Sequence, residues 1–281
     1  MLDFTNPSWD FPVELQETYD RHGNKIEGNR VVVRTDTGEH MSRGVGDRYK
    51  IITHSDVVNS IMDSIDDVAN TLGTSYEEKF HVIDGGRKLR GEVNFPDWKI
   101  EPQVDDICTF RIQFYNSYDT TWAFQQSAEA FRLWCKNGCT TPNTVAKTWA
   151  KHTTHVSVES SSAKILTGFE AFKLSDTLFK SYVDSKIDNE TAESFLNDML
   201  CKVKQRTKNP DHIQFNKKRR EELLRMWDEN RANIGNNVWA LYNTLTEWAT
   251  HTDHLGNPEN ARRLRENEIA KAMHTDRWYS L

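Results

Sequence analysis

Ile107-Cys108-Thr109-Phe110-Arg111-Ile112-Gln113-Phe114-Tyr115 and, a little upstream, Lys88-Leu89-Arg90-Gly91-Glu92-Val93-Asn94-Phe95 decide the fold class. In both runs polar and apolar residues alternate with a period of two, which is the signature of a strand with unlike faces. Phe110, Ile112 and Phe114 point one way and Arg111, Gln113 and Tyr115 the other; Leu89, Gly91 and Val93 share a face opposite Lys88, Arg90 and Glu92. The expectation is an antiparallel sheet that is apolar toward helices and exposed, partly basic, on its far side.

Working outward, Lys79 to Asp84, a tight turn at Gly85-Gly86, and Lys88 to Phe95 read as a hairpin. Ile107 to Tyr115 and Thr121 to Gln126 form a second pair, turned by Asn116-Ser117-Tyr118-Asp119. Before them, Val57, Val58, Ile61, Met62, Ile65, Val68 and Leu72 recur at helical spacing. Ser55 or Asp56 is the expected cap and Gly73 the stop. Arg30 to Thr35 and Tyr49 to Thr53 read as short strands, and residues 1–29 as a turn-rich arm.

After about residue 165 the pattern is helical, with expected helices at 163–185, 190–206, 217–232, 236–251 and 259–273. The stripe Val238, Leu241, Tyr242, Leu245 and Trp248 is the strongest of these. The fold class is therefore α+β. An arm (1–29) and a curved antiparallel sheet core packed on helices (30–160) precede a helical region (161–281).

Composition narrows the function. The 281 residues carry 36 Lys/Arg against 42 Asp/Glu, so the chain is no uniformly basic glove for nucleic acid. The charge is uneven: residues 1–146 hold 15 cations and 23 acids, residues 147–281 hold 21 and 19. No apolar run is long enough to cross a bilayer, and the first residues lack a signal-peptide pattern, so a cytoplasmic protein is expected. Four cysteines in such a chain suggest buried thiols rather than a disulfide framework.

Chemistry-bearing patterns are sparse. Cys135-x3-Cys139 and His152-x2-His155 have a spacing compatible with four zinc ligands. Cys135 sits in the aromatic run Phe131-Arg132-Leu133-Trp134, however, and Cys139 follows Asn137-Gly138; a packed core cysteine is the better reading, with no metal and no cofactor. A Cys135–His152–Asp119 triad fails on the same neighbourhood, because an apolar setting keeps a thiol protonated. There is no Walker A, G-x-S-x-G or H-E-x-x-H sequence, and no enzyme is expected. Asp66-Asp67 and Asp105-Asp106 read as solvated faces or caps. Asn137-Gly138 reads as the stop of a helix anchored by Cys135 or as a tightened turn after it, and Asn116 and Asp119 as turn-formers bonding their own backbone.

Basic residues near aromatics remain as a candidate surface for single-stranded DNA: Arg43, Arg48, Arg87, Lys88, Arg90, Arg111, Tyr115, Lys136, Lys147, Lys151 and His152. Cations pair with phosphates while aromatic rings stack on bases. A second basic run, Lys202, Lys204, Arg206, Lys208 and Lys217 to Arg220, reads as a solvated or partner-binding face.

Asn116-Ser117-Tyr118-Asp119-Thr120-Thr121, then Phe131-Arg132-x-x-Cys135-x-Asn137-Gly138, then His152-Thr153 together resemble the DUF932 family of phage, prophage and plasmid proteins. Arg34-Thr35-Asp36, Gly46-x-Arg48-Tyr49-Lys50, Gly85-Gly86-Arg87 and Tyr242-Asn243-x-Leu245-Thr246-Glu247 extend the resemblance over about residues 30–255. Thr120 stands where the family often has glycine, and Trp134 where a smaller apolar residue is common. The resemblance implies a part of a phage recombination or replication module. A hairpin-rich sheet followed by helices is also similar to the Rad52-like annealing proteins. That implies a non-enzymatic, ATP-independent single-stranded DNA-binding and annealing protein, a homo-oligomeric ring or filament working beside phage or host recombination proteins. The alternative is an accessory protein that binds a host or defence protein through its helical half.

Overall fold

The computed structural model describes residues 8–132, 137–139, 147–150, 152, 163–203, 214–252 and 258–281. It is an α+β structure with a sheet-rich first half and a helical second half. The segment read as an arm contains a hairpin: β1 (Val13–Tyr19) pairs antiparallel with β2 (Lys25–Arg34), Val13 opposite Arg34. The strand expected at Tyr49 to Thr53 does not form. Helix α1 (His54–Leu72) buries Val57, Val58, Ile61, Ile65 and Val68, the face its spacing requires. Its cap lies earlier than expected, at Thr53. The Thr53 hydroxyl accepts the Asp56 N–H and the Asp56 carboxylate accepts the Thr53 N–H, a reciprocal box that satisfies two donors at the helix start. Gly73 ends the helix at φ +62°.

The principal sheet holds β3 (Glu77–Ile83), β4 (Lys88–Gln103), β5 (Asp106–Ser117), β6 (Phe124–Arg132), β7 (Asn137–Cys139) and β8 (Lys147–Ala150). The order is β3-β4-β5-β6-β7, with β8 also on β6. Along β6, Ala130 to Arg132 face β7 and Phe124 to Ser127 face β8. Asn137-Gly138 is therefore part of a strand opposite Arg132 and Phe131, not a helix stop. Cys135 lies outside the described residues.

Two compact units divide the chain: residues 1–98, 110–128 and 144–171 in the first, and 99–109, 129–143 and 172–281 in the second. In the first, the apolar sheet face carries a continuous ring cluster. Phe95 stacks on Trp98 at 4.5 Å and contacts Phe110 at 5.5 Å; Phe169, on α2 (Ala163–Asp184), lies against both Trp98 and Phe110. Gly91 is required here by close approach. Phe80 is its cross-strand partner, and the Phe114 ring lies over it so closely that a β-carbon would fall 2.1 Å from that ring.

The second unit is built round α5 (Val238–His251), whose residues are buried from Val238 to Thr246 without a solvent face. It is packed by α4 (Lys217–Ile234) and α6 (Pro258–Met273). α3 (Asn189–Leu196) runs into a π-helical turn at Asn197–Cys201, and the short strands β9 (Lys202–Val203) and β10 (Gln214–Phe215) pair beyond it. Trp239 and Tyr242 stack at 5.2 Å beside Phe179, Tyr182 and Trp278, the last on the closing turn α7 (Asp276–Tyr279). Asp106, expected on a solvated face, is buried: its carboxylate accepts the Trp239 indole N–H at 2.7 Å. A carboxylate is held inside by a hydrogen bond from a residue 133 positions away, which no local pattern announces.

Gly91→Val should cost at least about 3 kcal/mol, since overpacking costs about 1–3 kcal/mol even where neighbours can shift and here the obstacle is a buried ring. Gly91→Val combined with Phe114→Leu should recover part of the loss in urea denaturation.

Candidate nucleic-acid interface

The Asn116-Ser117-Tyr118-Asp119 turn is where the first unit ties its elements together. Asn116 does not bond its own backbone. Its Nδ2 donates to the Ile52 carbonyl at 3.0 Å and to His54 Nδ1 at 2.9 Å. His54 Nε2 then faces the Gly86 carbonyl at 2.9 Å and must carry the proton, so the imidazole is a neutral Nε2–H tautomer with both nitrogens satisfied. Burial pushes its pKa down to about 4. Ser117 Oγ bridges the N–H and carbonyl of Trp122. The Tyr118 hydroxyl accepts the His54 N–H at 2.7 Å, with the two rings 4.1 Å apart.

Asp119 has two roles. One oxygen accepts the Thr121 N–H and hydroxyl, the local turn bond expected of it. The other meets Lys88 Nζ at 3.1 Å, and Asp84 meets the same ammonium at 2.6 Å. Lys88, buried with its ammonium 5.5 Å from the Trp122 ring, is a clamped structural cation. The two carboxylates outweigh desolvation and hold its pKa above the usual value.

The sheet face expected to be an exposed basic surface is buried. Arg111 and Tyr115 do share it, but they are 3 % and 5 % exposed. Arg111 and Arg90 converge on Glu92, at 3.2 and 2.8 Å, and His81 joins them at 3.3 Å. The Tyr115 hydroxyl donates to Gln113. Burying guanidinium groups is tolerable only when carboxylates offset them, and Glu92 supplies part of that charge. Arg87 is partly exposed and paired with Glu39 at 2.9 Å, its guanidinium also donating to the His40 carbonyl. In the second basic run, Lys202 pairs with Asp198, Arg219 with Glu268 and Arg220 with Glu193, while Lys204, Arg206 and Lys208 lie outside the described residues.

Arg43, Arg48 and Lys50 are different. All three are exposed, and among the described residues none enters an ion pair. Their loop is anchored rather than loose. Arg30 and Val45 exchange backbone hydrogen bonds at 2.7 and 2.9 Å, and Arg30 Nη2 donates to the Asp47 carbonyl. Tyr49 stacks on His152 at 5.5 Å with 14° between the rings, and the Lys50 N–H donates to the His152 carbonyl. His152, expected at the binding surface, is buried and helps hold this loop; burial brings its pKa down to about 4. Asp47 is the loop's one acid, leaving a net of two positive charges over residues 43–50. Of the other expected contacts, Lys147 lies in β8 and Lys136 and Lys151 lie outside the described residues. Cys139 is in β7, whereas His155 lies outside; the Cys108 and Cys201 thiols are buried.

Sequence reasoning grouped Arg48 with the other cations but gave Lys50 to a strand. The signal available was Arg43-Gly44-Val45-Gly46-Asp47-Arg48, two glycines and an acid among cations, which reads as a loop. Among the described residues no helix is long and apolar enough to cross a membrane, and no three His, Cys, Asp or Glu side chains gather as a metal site.

The family model described as Domain of unknown function (DUF932) matches residues 42–275. No curated protein matches the chain, and neither does any solved structure, so the likeness to Rad52-like annealing proteins has no structural neighbour behind it.

Two measurements follow from these contacts. His54 and His152 bind protons in the unfolded chain near pH 6.5 but only near pH 4 when folded, so the unfolded state holds more protons between those values. Their contribution to stability should be complete above about pH 6.5 and be lost as the pH falls toward 4, by up to about 1.4 kcal/mol per pH unit for each histidine. Urea titrations at stepped pH should show this slope, and His152→Phe should lessen it. Thr120 holds φ +66°, a strained conformation for a β-branched residue, so Thr120→Gly should raise stability by about 1 kcal/mol in the same assay.

Proposed function

We propose that this chain, which belongs to the DUF932 family, binds single-stranded DNA and anneals complementary strands without ATP or metal. The observation that carries the reading is the anchored loop with three exposed cations, Arg43, Arg48 and Lys50, that no described carboxylate neutralises. Phosphates are held by such unpaired charges, because a cation already locked to a carboxylate must break that pair before it can serve. On this reading Lys88, Arg90 and Arg111 support the sheet beneath the contact surface, and the loop supplies the contact. A single loop with a net of two charges binds weakly, so affinity would come from several copies in a ring or filament engaging one strand. The setting would be a phage-type recombination module in a bacterial cytoplasm.

Fluorescence anisotropy with a labelled oligonucleotide across a salt series tests this. The protein should bind single strands at low salt and accelerate complementary pairing. Replacing Arg43, Arg48 and Lys50 by Gln should weaken binding at least tenfold and flatten the salt slope by about 2, given about 0.7 per phosphate contact on single strands. The circular dichroism melt should be unchanged, because these side chains make no ion pair among the described residues. Absence of binding at low salt would overturn the reading and favour a protein partner for the helical half.

A further inference from the structure

The second unit contains a cleft of about 410 Å3 between α4, the end of α5 and α6. Arg265 forms part of its wall and is 9 % exposed. Its Nε and Nη2 donate to the carbonyls of Ala249 and Thr252, just where α5 ends, at 3.1 and 2.8 Å. These carbonyls, at the negative end of a helix, offset part of the charge. Among the described residues no carboxylate lies within ion-pair distance of Arg265, so a nearly enclosed guanidinium has no direct ion pair.

Other groups in the cleft point to the same need. Arg219 lies 4.9 Å from the Trp248 ring and Arg265 5.9 Å from the same ring, so two guanidiniums share one indole. Desolvation first, and then the neighbouring Arg262 and Arg219 cations, lower the Arg265 pKa against the pull of Glu222 and Glu266. Lys218 is exposed on the rim with no ion pair among the described residues. The buried Thr252 hydroxyl in the lining has no hydrogen-bond partner among the described residues. Of the two acids in the lining, Glu268 is engaged by Arg219 at 2.8 Å, which leaves Glu222 against Lys218 and Arg265. Leu264, 55 % exposed, and Ala261 give one side of the cleft an apolar surface.

We infer that this cleft binds the phosphate of a nucleoside phosphate ester, with Arg265 and Lys218 pairing to the phosphate, Thr252 donating a hydrogen bond, and Leu264 covering the apolar part of the ligand. The same chemistry is offered by a free mononucleotide and by a backbone phosphate of single-stranded DNA. The inference does not rest on the loop at residues 43–50.

Isothermal titration calorimetry on the full chain with deoxyadenosine monophosphate, inorganic phosphate and a short oligonucleotide separates these sources. Lys218→Glu is the informative variant, because that side chain is exposed and makes no ion pair among the described residues. Binding of the mononucleotide, competed by inorganic phosphate and weakened at least tenfold by Lys218→Glu, supports a free ligand. Loss of oligonucleotide affinity in Lys218→Glu without mononucleotide binding supports the strand backbone. The inference fails if the wild-type chain takes up none of the three probes, or if Lys218→Glu and a folded Arg265→Gln variant bind them as the wild type does. Variants of Arg43, Arg48 and Lys50 should leave mononucleotide binding intact, which keeps the two readings separable.

Discussion

The His54 ring cannot take up a second proton without breaking what surrounds it. Nδ1 accepts from Asn116, Nε2–H donates to Gly86, and the ring packs on Tyr118 in a space closed to water. Through these bonds one neutral imidazole connects the start of α1, the turn between β3 and β4, and the end of β5. Each contact is modest, since a net hydrogen bond contributes about 1 kcal/mol. Loss of any member strands a buried partner, so the group behaves as a unit. Aromatic packing supplies bulk to this end of the unit, whereas the histidine fixes which elements meet there.

The same logic extends across the sheet. Arg90, Arg111 and His81 converge on Glu92, while Lys88 meets Asp84 and Asp119. An apolar layer of the same volume would be easier to desolvate, since the cost of burying charges can exceed what their pairing returns. Cations spent in this way are unavailable to phosphates. Arg43, Arg48 and Lys50, which make no ion pair among the described residues, lie instead on a loop whose two glycines and Asp47 make it look unpromising.

How far the sequence could be read follows the range of the forces involved. The alternation in β4 and β5 and the helical spacing in α1 are set by neighbours along the chain, and all three elements were legible. Gly73 was legible as a stop because positive φ is a local demand. The α1 cap shifted from Ser55 or Asp56 to Thr53 because three candidates in succession compete and only geometry chooses. The polar face of the sheet was identified, though not its burial: alternation distinguishes two faces without saying what covers either. Asp106 beneath Trp239 and Asn116 beside His54 were illegible, since their partners lie 133 and 62 positions away. Lys50 was not grouped with the exposed cations because its neighbourhood resembles a strand.

Gly91 and Phe114 share a single volume on the apolar face: the ring occupies the space that any side chain at position 91 would claim. Neither position is therefore free to drift by itself. Among descendants of this sheet, a larger residue at 91 is admissible only alongside a smaller one at 114, so what inheritance preserves at this point is the sum of two side chains and not the identity of either.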